Sequence, residues 1–400
     1  MLIEIRRAGF INKGAQLMLL AIRQELERRY PHLECAIAPT RNSAEQPIGK
    51  IREYGFLLKS SLWRAGVQWG DLAGAVPRAL RRAAGVVLDR EIDVVLDAAG
   101  FAYGSPWVDA ALEDLARCAR RWRRQGTGLV LLPQAFGRFD TPHRRALINE
   151  IVAAADRVYA RDAQSLAHLH EAVGERPQVS LSPDFTALAH APEAALSTMK
   201  GPRSLSPERT ARLAETIVII PNARMLDQTV SAVREAYLPF LRACLQALRE
   251  RGLPVIFLIH AGGEDRSIIV ALGDDARAIP VVEDDDPLRL KAVLAGCRGV
   301  IGSRFHGLVS ALSAGVPAFG TSWSHKYRAL YADYDFAQGL VGDLRSARAG
   351  EMVALLADGA WQSRTRAHLM VQAAAQRALI ERMWQDTSAI IETAVVRRHR

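Results

Sequence analysis

The pentapeptide Ser303-Arg304-Phe305-His306-Gly307 places a guanidinium and an imidazole two residues apart, flanked by two small residues. A guanidinium offers a planar fork of donors that fits a carboxylate or a phosphate, and an imidazole exchanges a proton near neutral pH. The pair therefore suits an anionic ligand that must also gain or lose a proton. Upstream, Gly299 to Gly302 reads as a strand; downstream, Leu308, Val309, Ala311 and Leu312 form the packed face of a helix that ends at Gly315. Arg304 and His306 thus stand at a strand-to-helix turn. In open α/β sheets ligands bind beyond the carboxyl ends of the strands, where the N–H groups and partial positive charge at a helix start favour anions. A structural arginine and a capping histidine would share this spacing.

Other polar residues fall at similar places. Arg224, in Pro221-Asn222-Ala223-Arg224 just beyond a strand, is a second anion-ligand candidate. Asn12, Lys13 and Gly14 form a loop that can face a ligand or its anionic carrier, or can be a tight βα turn that needs glycine for its backbone. Gln134 is a candidate for hydrogen-bonding sugar hydroxyls or for a turn. Asp162 followed by Ser165 reads first as a helix cap. His168 and His170 point to different faces of a helix and make a poor metal pair. Asp284-Asp285-Asp286, just ahead of Pro287, reads as a loop and helix start, with Asp286 as N-cap and Gly296 closing the helix. His260-Ala261-Gly262-Gly263 ends a strand in a glycine-bearing turn that can line a cleft, but it lacks the Lys-Ser/Thr of a phosphate-cradling loop. None of these patterns calls for a metal.

The elements that position these residues alternate short β-rich runs with long amphipathic stretches, the mark of parallel strands joined by crossover helices. Strands are expected at Leu2 to Ile5, Cys35 to Ala38, Asp93 to Asp97, Gly128 to Leu132 and Arg157 to Ala160, then at Ile217 to Pro221, Val255 to His260, Pro280 to Val282, Gly299 to Gly302 and Val316 to Gly320. The class is α/β, with two Rossmann-like domains, 1–196 and 216–350. The Ser-, Pro-, Lys- and Arg-rich segment 197–215 is the expected linker. Residues 351–400 read as helices long enough to pack back on the first domain. The 400 residues, about half of them hydrophobic, can bury a large core. Four scattered cysteines fit neither a disulfide framework nor a zinc cluster, and no run of about eighteen apolar residues crosses a membrane. The expectation is a soluble, cytoplasmic protein. The net charge of +9 comes largely from arginines on helical segments such as Arg120 to Arg124. With no nucleic-acid-reading module in view, it argues for anionic ligands or an anionic membrane surface at the inner face rather than for nucleic acid.

Several of these pieces together resemble a known family. Ile301-Gly302-Ser303-Arg304-Phe305-His306-Gly307-Leu308, Ala311, Ala314-Gly315-Val316-Pro317 and Ser324-His325-Lys326 are similar to the C-terminal signature of the polysaccharide pyruvyl transferases. Gly9 to Gly14 resembles that family's first glycine-rich loop, Pro133-Gln134-Ala135-Phe136-Gly137 its central Pro-Gln-x-x-Gly, and Ala160-Arg161-Asp162 with Ser165 its Arg-Asp-x-x-Ser. Pro183-Asp184 resembles its aspartate before the domain linker. The likeness spans residues 1 to about 335, with departures at Gly14-Ala15, where many members have Gly-Asp, and at Ala98-Ala99-Gly100, where they have three glycines.

The resemblance implies a fold like that of the GT-B glycosyltransferases, two domains facing a cleft, with phosphoenolpyruvate as donor and co-substrate and no other cofactor. The implied product is a cyclic pyruvate ketal on a saccharide, free or lipid-linked, made for a cell-surface or exopolysaccharide. Protonating the methylene carbon of phosphoenolpyruvate creates a cationic centre that a hydroxyl attacks, so an acid is needed. His306 is the candidate for that acid or for assisting phosphate departure, and Arg304 for gripping carboxylate or phosphate. Arg224, Lys326, Ser303 and Gly307 complete the expected donor side; Asn12, Lys13, Gly14 and Gln134 are expected on the acceptor side. Lys326, matched to the family's lysine, would meet phosphate as a point charge or lie on the surface. The competing readings are a GT-B glycosyltransferase using a nucleotide sugar and a non-catalytic carbohydrate-binding protein on the same fold.

Overall fold

A computed structural model describes residues 1–10, 12–39, 46–61, 63–64, 67–199 and 204–399. The chain divides into two compact units: Met1–Ile11, Met18–Phe185 and Leu379–Arg400 form the first, Asn12–Leu17 and Thr186–Ala378 the second. The division falls between Phe185 and Thr186, ahead of the expected linker. Within 197–215, Pro207–Ala211 and Leu213–Glu215 are short helices, and 200–203 lie outside the described residues.

The first unit is built on β1 (Leu2–Arg6), β2 (Glu34–Ile37), β3 (Leu57–Ser60), β4 (Val86–Leu88), β5 (Val94–Asp97), β6 (Gly128–Phe136), β7 (Arg157–Ala160) and β8 (Val179–Leu181). Their order is β8-β7-β6-β5-β1-β2-β3-β4, and every neighbouring pair is parallel. A parallel sheet is covered by helices on both faces, which is why Val94–Leu96 of β5 is an unbroken apolar run and why β1, despite Glu4 at its centre, is buried from Leu2 to Ile5. Helix Ala110–Gln125 shows the complementary pattern. It buries Leu112, Leu115, Ala116, Ala119 and Trp122 along one stripe and stops at Gly126, whose φ of 75° is the left-handed cap glycine favours.

The second unit repeats the plan with β9 (Ile217–Ile220), β10 (Val255–Leu258), β11 (Val281–Val282), β12 (Gly299–Gly302), β13 (Ala318–Thr321) and β14 (Leu340–Val341), ordered β11-β10-β9-β12-β13-β14 and parallel throughout. Strand order reverses between β9 and β12. Those two strands pair flush, Ile217 with Gly299 and Ile220 with Gly302, so the loops that follow them, Pro221 to Arg224 and Ser303 to His306, emerge side by side. A 41-residue helix, Gly359–His399, ends the chain; its residues through Ala378 belong to the second unit and those from Leu379 to the first. No described helix is long and apolar enough to cross a membrane.

Each strand expected from the sequence is present within a few residues. β3, β4, β8 and β14 were not expected. They are two to four residues long, and β3 carries Lys59, whose charge hides a strand that is nonetheless buried. Lys59 is tolerated there because its ammonium lies 2.6 Å from Glu4 and 3.0 Å from Asp89.

Candidate active site

Beyond β9, β10 and β12 the second unit gathers Asn222, Arg224, His260, Asp265, Ser303, Arg304 and His306. Asp265 organises them. It sits in helix Gly263–Leu272, which begins after a four-residue connection from β10, where Gly262 turns the chain with a positive φ of 63°. Its fully buried carboxylate accepts the Ala223 N–H at 3.2 Å, the Ala261 N–H at 3.0 Å and Arg304 Nε at 2.9 Å, and also pairs with Arg304 Nη2. One side chain thereby ties together the loops after three adjacent strands. Arg304 Nη1 has no partner among the described residues, so this end of the guanidinium is the one open to an anion.

Ser303 lies beneath this layer. It is buried, its hydroxyl meets Tyr237 Oη at 2.8 Å and Thr321 Oγ1 at 2.7 Å, and its carbonyl accepts Asn222 Nδ2 at 2.6 Å and Tyr327 Oη at 2.8 Å. Burial pushes the Tyr237 phenol up to about 12, so it stays a hydrogen-bond donor. Gly307 is also structural in its surroundings: a Cβ there would lie 2.7 Å from Ile220 Cδ1, so only glycine lets the helix settle on β9. The structure thus places Ser303 and Gly307 under the turn that carries Arg304 and His306, with the Ser303 hydroxyl engaged in that buried network.

His306, half-buried, packs edge-on against Phe305 and faces the start of helix Lys13–Arg29. A Cβ on Gly14 would fall 2.3 Å from His306 Nδ1. The Lys13 N–H donates to the His260 carbonyl at 3.2 Å, and Asn12 Oδ1 accepts the Ala15 N–H at 2.9 Å, so Asn12 caps the helix. Lys13 Nζ reaches the Asp285 carbonyl at 2.9 Å. Asn12, Lys13 and Gly14 accordingly group with Arg304 and His306 in the second unit, while Ile11 of the same motif lies outside the described residues.

His260 was not singled out as a ligand by sequence. Its ring is buried without a hydrogen bond among the described residues, and burial, then repulsion from Arg304, His306 and Lys13, hold its pKa well below the ordinary histidine value. It is a neutral imidazole amid cations. Lys326 starts helix Lys326–Asp333 with its ammonium over the rings of Trp323 at 4.8 Å, Phe305 at 5.0 Å and Tyr327 at 5.8 Å, a cation–π setting that fixes its position. Arg224 opens a short helix, half-exposed, 2.5 Å from Asp227 and 3.5 Å from Glu264.

Gln134 belongs to the first unit, fully buried at the end of β6, where its amide donates to Asp97 at 3.4 Å. Other motif residues in that unit hold its fold. Asp162 caps its helix through the Ser165 N–H at 2.7 Å, Ser165 Oγ accepts the Phe136 N–H at 2.9 Å, and Arg161 pairs with Asp184 at 3.0 Å. Gly137 approaches Ser105 so closely that a Cβ would meet its carbonyl oxygen at 1.8 Å. Asp286 caps its helix through the Leu288 N–H, as its place before Pro287 implied. No group of three or more metal-ligating side chains occurs among the described residues.

Two parallel α/β units, the second with its strand order reversing beside the Arg304 turn, make a GT-B-like fold, and comparison with solved structures agrees. UDP-GlcNAc 2-epimerase from Neisseria meningitidis bound to UDP-GlcNAc superposes with a TM-score of 0.55 at 10% identity, covering 96% of this chain and 100% of that one. HepE of Anabaena in complex with UDP and glucose gives a TM-score of 0.53 at 13% identity, covering 97% and 99%. At these identities the likeness is one of fold. The Polysaccharide pyruvyl transferase family matches residues 12–325, and the chain belongs to that family. The amylovoran biosynthesis protein AmsJ of Erwinia amylovora is 25% identical over 138 residues, 32% of this chain and 33% of that protein, so the chain matches about a third of that relative's length.

Proposed function

We propose that the protein transfers the pyruvyl group of phosphoenolpyruvate to two hydroxyls of a saccharide, forming a cyclic ketal and releasing inorganic phosphate. The observation that carries this is the grouping of Arg304, His306, Lys326 and the N-terminus of helix Lys13–Arg29 beyond β9 and β12 in a member of this family. Phosphoenolpyruvate brings a carboxylate and a phosphate, which these cations and the helix N–H groups suit.

In the reaction, C3 gains a proton and becomes a methyl group, while C2 forms bonds to both acceptor oxygens and loses the bond to the phosphate oxygen. One hydroxyl proton is balanced by the proton gained at C3; the other leaves on phosphate. His306 is assigned the proton delivered to C3 or to the departing phosphate, and Arg304 Nη1 the negative charge beside C2. His260, neutral and unbonded, is suited to accept a proton from an acceptor hydroxyl. The chemistry asks for no metal.

The test incubates the full chain with phosphoenolpyruvate and a panel of free and lipid-linked oligosaccharides, reading phosphate release and product mass together. Phosphate release with a pyruvylated saccharide supports the proposal. Turnover of a nucleotide sugar with nucleoside diphosphate release and none of phosphoenolpyruvate would replace it with glycosyl transfer; saccharide binding with neither would make the protein a carbohydrate-binding one.

A further inference from the structure

Residues 69–83 of the first unit invert the usual arrangement of a surface segment. Trp69–Ala75 is a 3₁₀ turn and Arg78–Ala83 a short helix, joined through Pro77. Their large apolar side chains stand outward: Trp69 is 46% exposed, Leu72 67%, Val76 44% and Leu80 62%. Fourteen large hydrophobics are exposed among the described residues, and four of them fall within residues 69–80, so this is a concentration rather than the ordinary scatter. Ala75, Pro77, Ala79 and Ala83, also exposed, extend the same apolar surface.

Asp71, Arg81 and the Gly70 backbone hold the segment down from its other side. Asp71 pairs with Arg121 at 2.6 Å. Arg81 is buried, donates to the Val76 carbonyl at 3.2 Å and meets Glu91 through both terminal nitrogens at 2.8 and 3.2 Å. Gly70 is held by Gln68 at 3.3 Å and by the Ser60 hydroxyl at 2.9 Å. The segment is therefore fixed with its apolar side to solvent, not loosely packed.

The charge beside this face is mixed but positive in balance: Asp71 pairs with Arg121, and Arg82 pairs with the exposed Glu34 at 3.0 Å, so Arg78 and Arg90 are the arginines that it presents to solvent. From Leu72 to Leu88 the chain has Arg78, Arg81 and Arg82 and no acidic residue, and Arg90 follows, exposed. Arg81 occupies both Glu91 oxygens, leaving the largely exposed Arg78 only a 3.5 Å approach to that carboxylate. A second copy of the chain seated symmetrically on the face would bring these arginines against themselves. A surface of anionic headgroups over acyl chains complements both the arginines and the apolar residues, with tryptophan at the boundary. We infer that Trp69–Ala83 docks the protein on an anionic lipid surface, with Leu72, Val76 and Leu80 entering the headgroup layer. The inference does not depend on the donor proposed above.

The experiment is flotation of the purified full chain with vesicles of phosphatidylcholine alone or mixed with phosphatidylglycerol, alongside sizing of the protein without lipid. The chain is expected to float with the mixed vesicles and stay behind with phosphatidylcholine. Leu72→Asp combined with Leu80→Asp should weaken vesicle binding by about tenfold or more, as apolar insertion is lost. Arg78→Gln should weaken it about fivefold and reduce its sensitivity to salt. Unfolding midpoints should not move, because all three side chains are exposed. Absence of flotation with mixed vesicles, unchanged binding by the double variant, or an equal loss on Arg176→Gln, an exposed arginine just ahead of β8 at the opposite edge of the sheet, would each overturn the assignment. A dimer abolished by Leu72→Asp in a chain that ignores vesicles would reassign the face to a second copy.

Discussion

Gly14→Ala is the smallest change that tests where His306 acts. The added methyl would lie 2.3 Å from His306 Nδ1, 3.2 Å from its Cε1 and 3.2 Å from Asn12 Oδ1. Ordinary contact needs the ring to withdraw by about 1 Å, and a displacement of that size in a reacting group costs about a hundredfold in rate. Stability should move little. Alanine gains roughly 1 kcal/mol over glycine in a helix, against about 1–3 kcal/mol of local overpacking. The assay is steady-state phosphate release with phosphoenolpyruvate and an acceptor, alongside thermal unfolding. Turnover is expected to fall about a hundredfold with a nearly unchanged midpoint, and Gly14→Ala should add nothing in a His306→Ala background, because both changes remove one function. A Gly14→Ala protein with turnover within about threefold of the parent would refute the placement of His306 as the proton-transfer group at this helix start.

Arg304→Lys keeps the charge but not the fork, so donor affinity should fall about ten- to a hundredfold in calorimetry. His306→Ala should instead lower turnover by about a hundred- to ten-thousandfold, and His306→Gln should not restore it, since an amide cannot exchange a proton. Asp265→Asn should lower the thermal midpoint, because a largely buried Arg304 loses its counter-charge at a cost of about 3–5 kcal/mol; its effect on kcat/KM should vanish in an Arg304→Ala background. His260 is held neutral in the folded chain but takes up a proton near pH 6.5 when unfolded, so the unfolded state binds more protons as pH falls below that value. This group should therefore subtract up to about 1.4 kcal/mol of stability per pH unit below about 6.5, a slope that unfolding of His260→Asn should lack. Turnover is expected to persist in EDTA; loss restored by magnesium would direct attention to Asp284, Asp285 and Asp286.

The α/β plan was legible because Gly299–Gly302, Ile217–Ile220 and Val94–Leu96 are short apolar runs with no competing helical period. Caps were equally legible: Asp162 and Asp286 act through side chains on N–H groups two or three residues away, so local sequence contains the whole interaction. β3 escaped because its buried lysine is neutralised by Glu4 and Asp89, residues 55 and 30 positions away. Asp265 escaped for the same reason. It lies 39 residues from Arg304 in a segment that reads as an ordinary polar helix start, and only the strand order brings the two together. A glycine pair shortly after a strand, followed by a carboxylate in the first helical turn, was the one local hint of its position. The network around Ser303 was not legible either: its place in the signature gives it a donor-side expectation, and its hydroxyl and carbonyl are engaged by Tyr237, Thr321, Asn222 and Tyr327, none close in sequence.

The cations of the site divide by how firmly each is already held. Arg304 is bound to a fully buried carboxylate that also holds two backbone N–H groups, and separating such a pair costs several kcal/mol. A donor anion cannot draw Arg304 away from Asp265; it must come to the Nη1 end where the pair presents it. Arg224 with Asp227 and Lys13 with Asp285 are different, because the acid in each pair is substantially exposed, and ion pairs of that kind are worth about 0–1 kcal/mol. Phosphate can displace those acids at little cost. Under the proposed function these three positive side chains would divide two tasks: Arg304 would set the direction in which the donor anion is received, while Arg224 and Lys13 would exchange one carboxylate for another anion and so add attraction without fixing geometry. Salt should consequently weaken donor binding mainly through Arg224 and Lys13, and the salt dependence should flatten in an Arg224→Gln variant whose kcat is close to that of the parent.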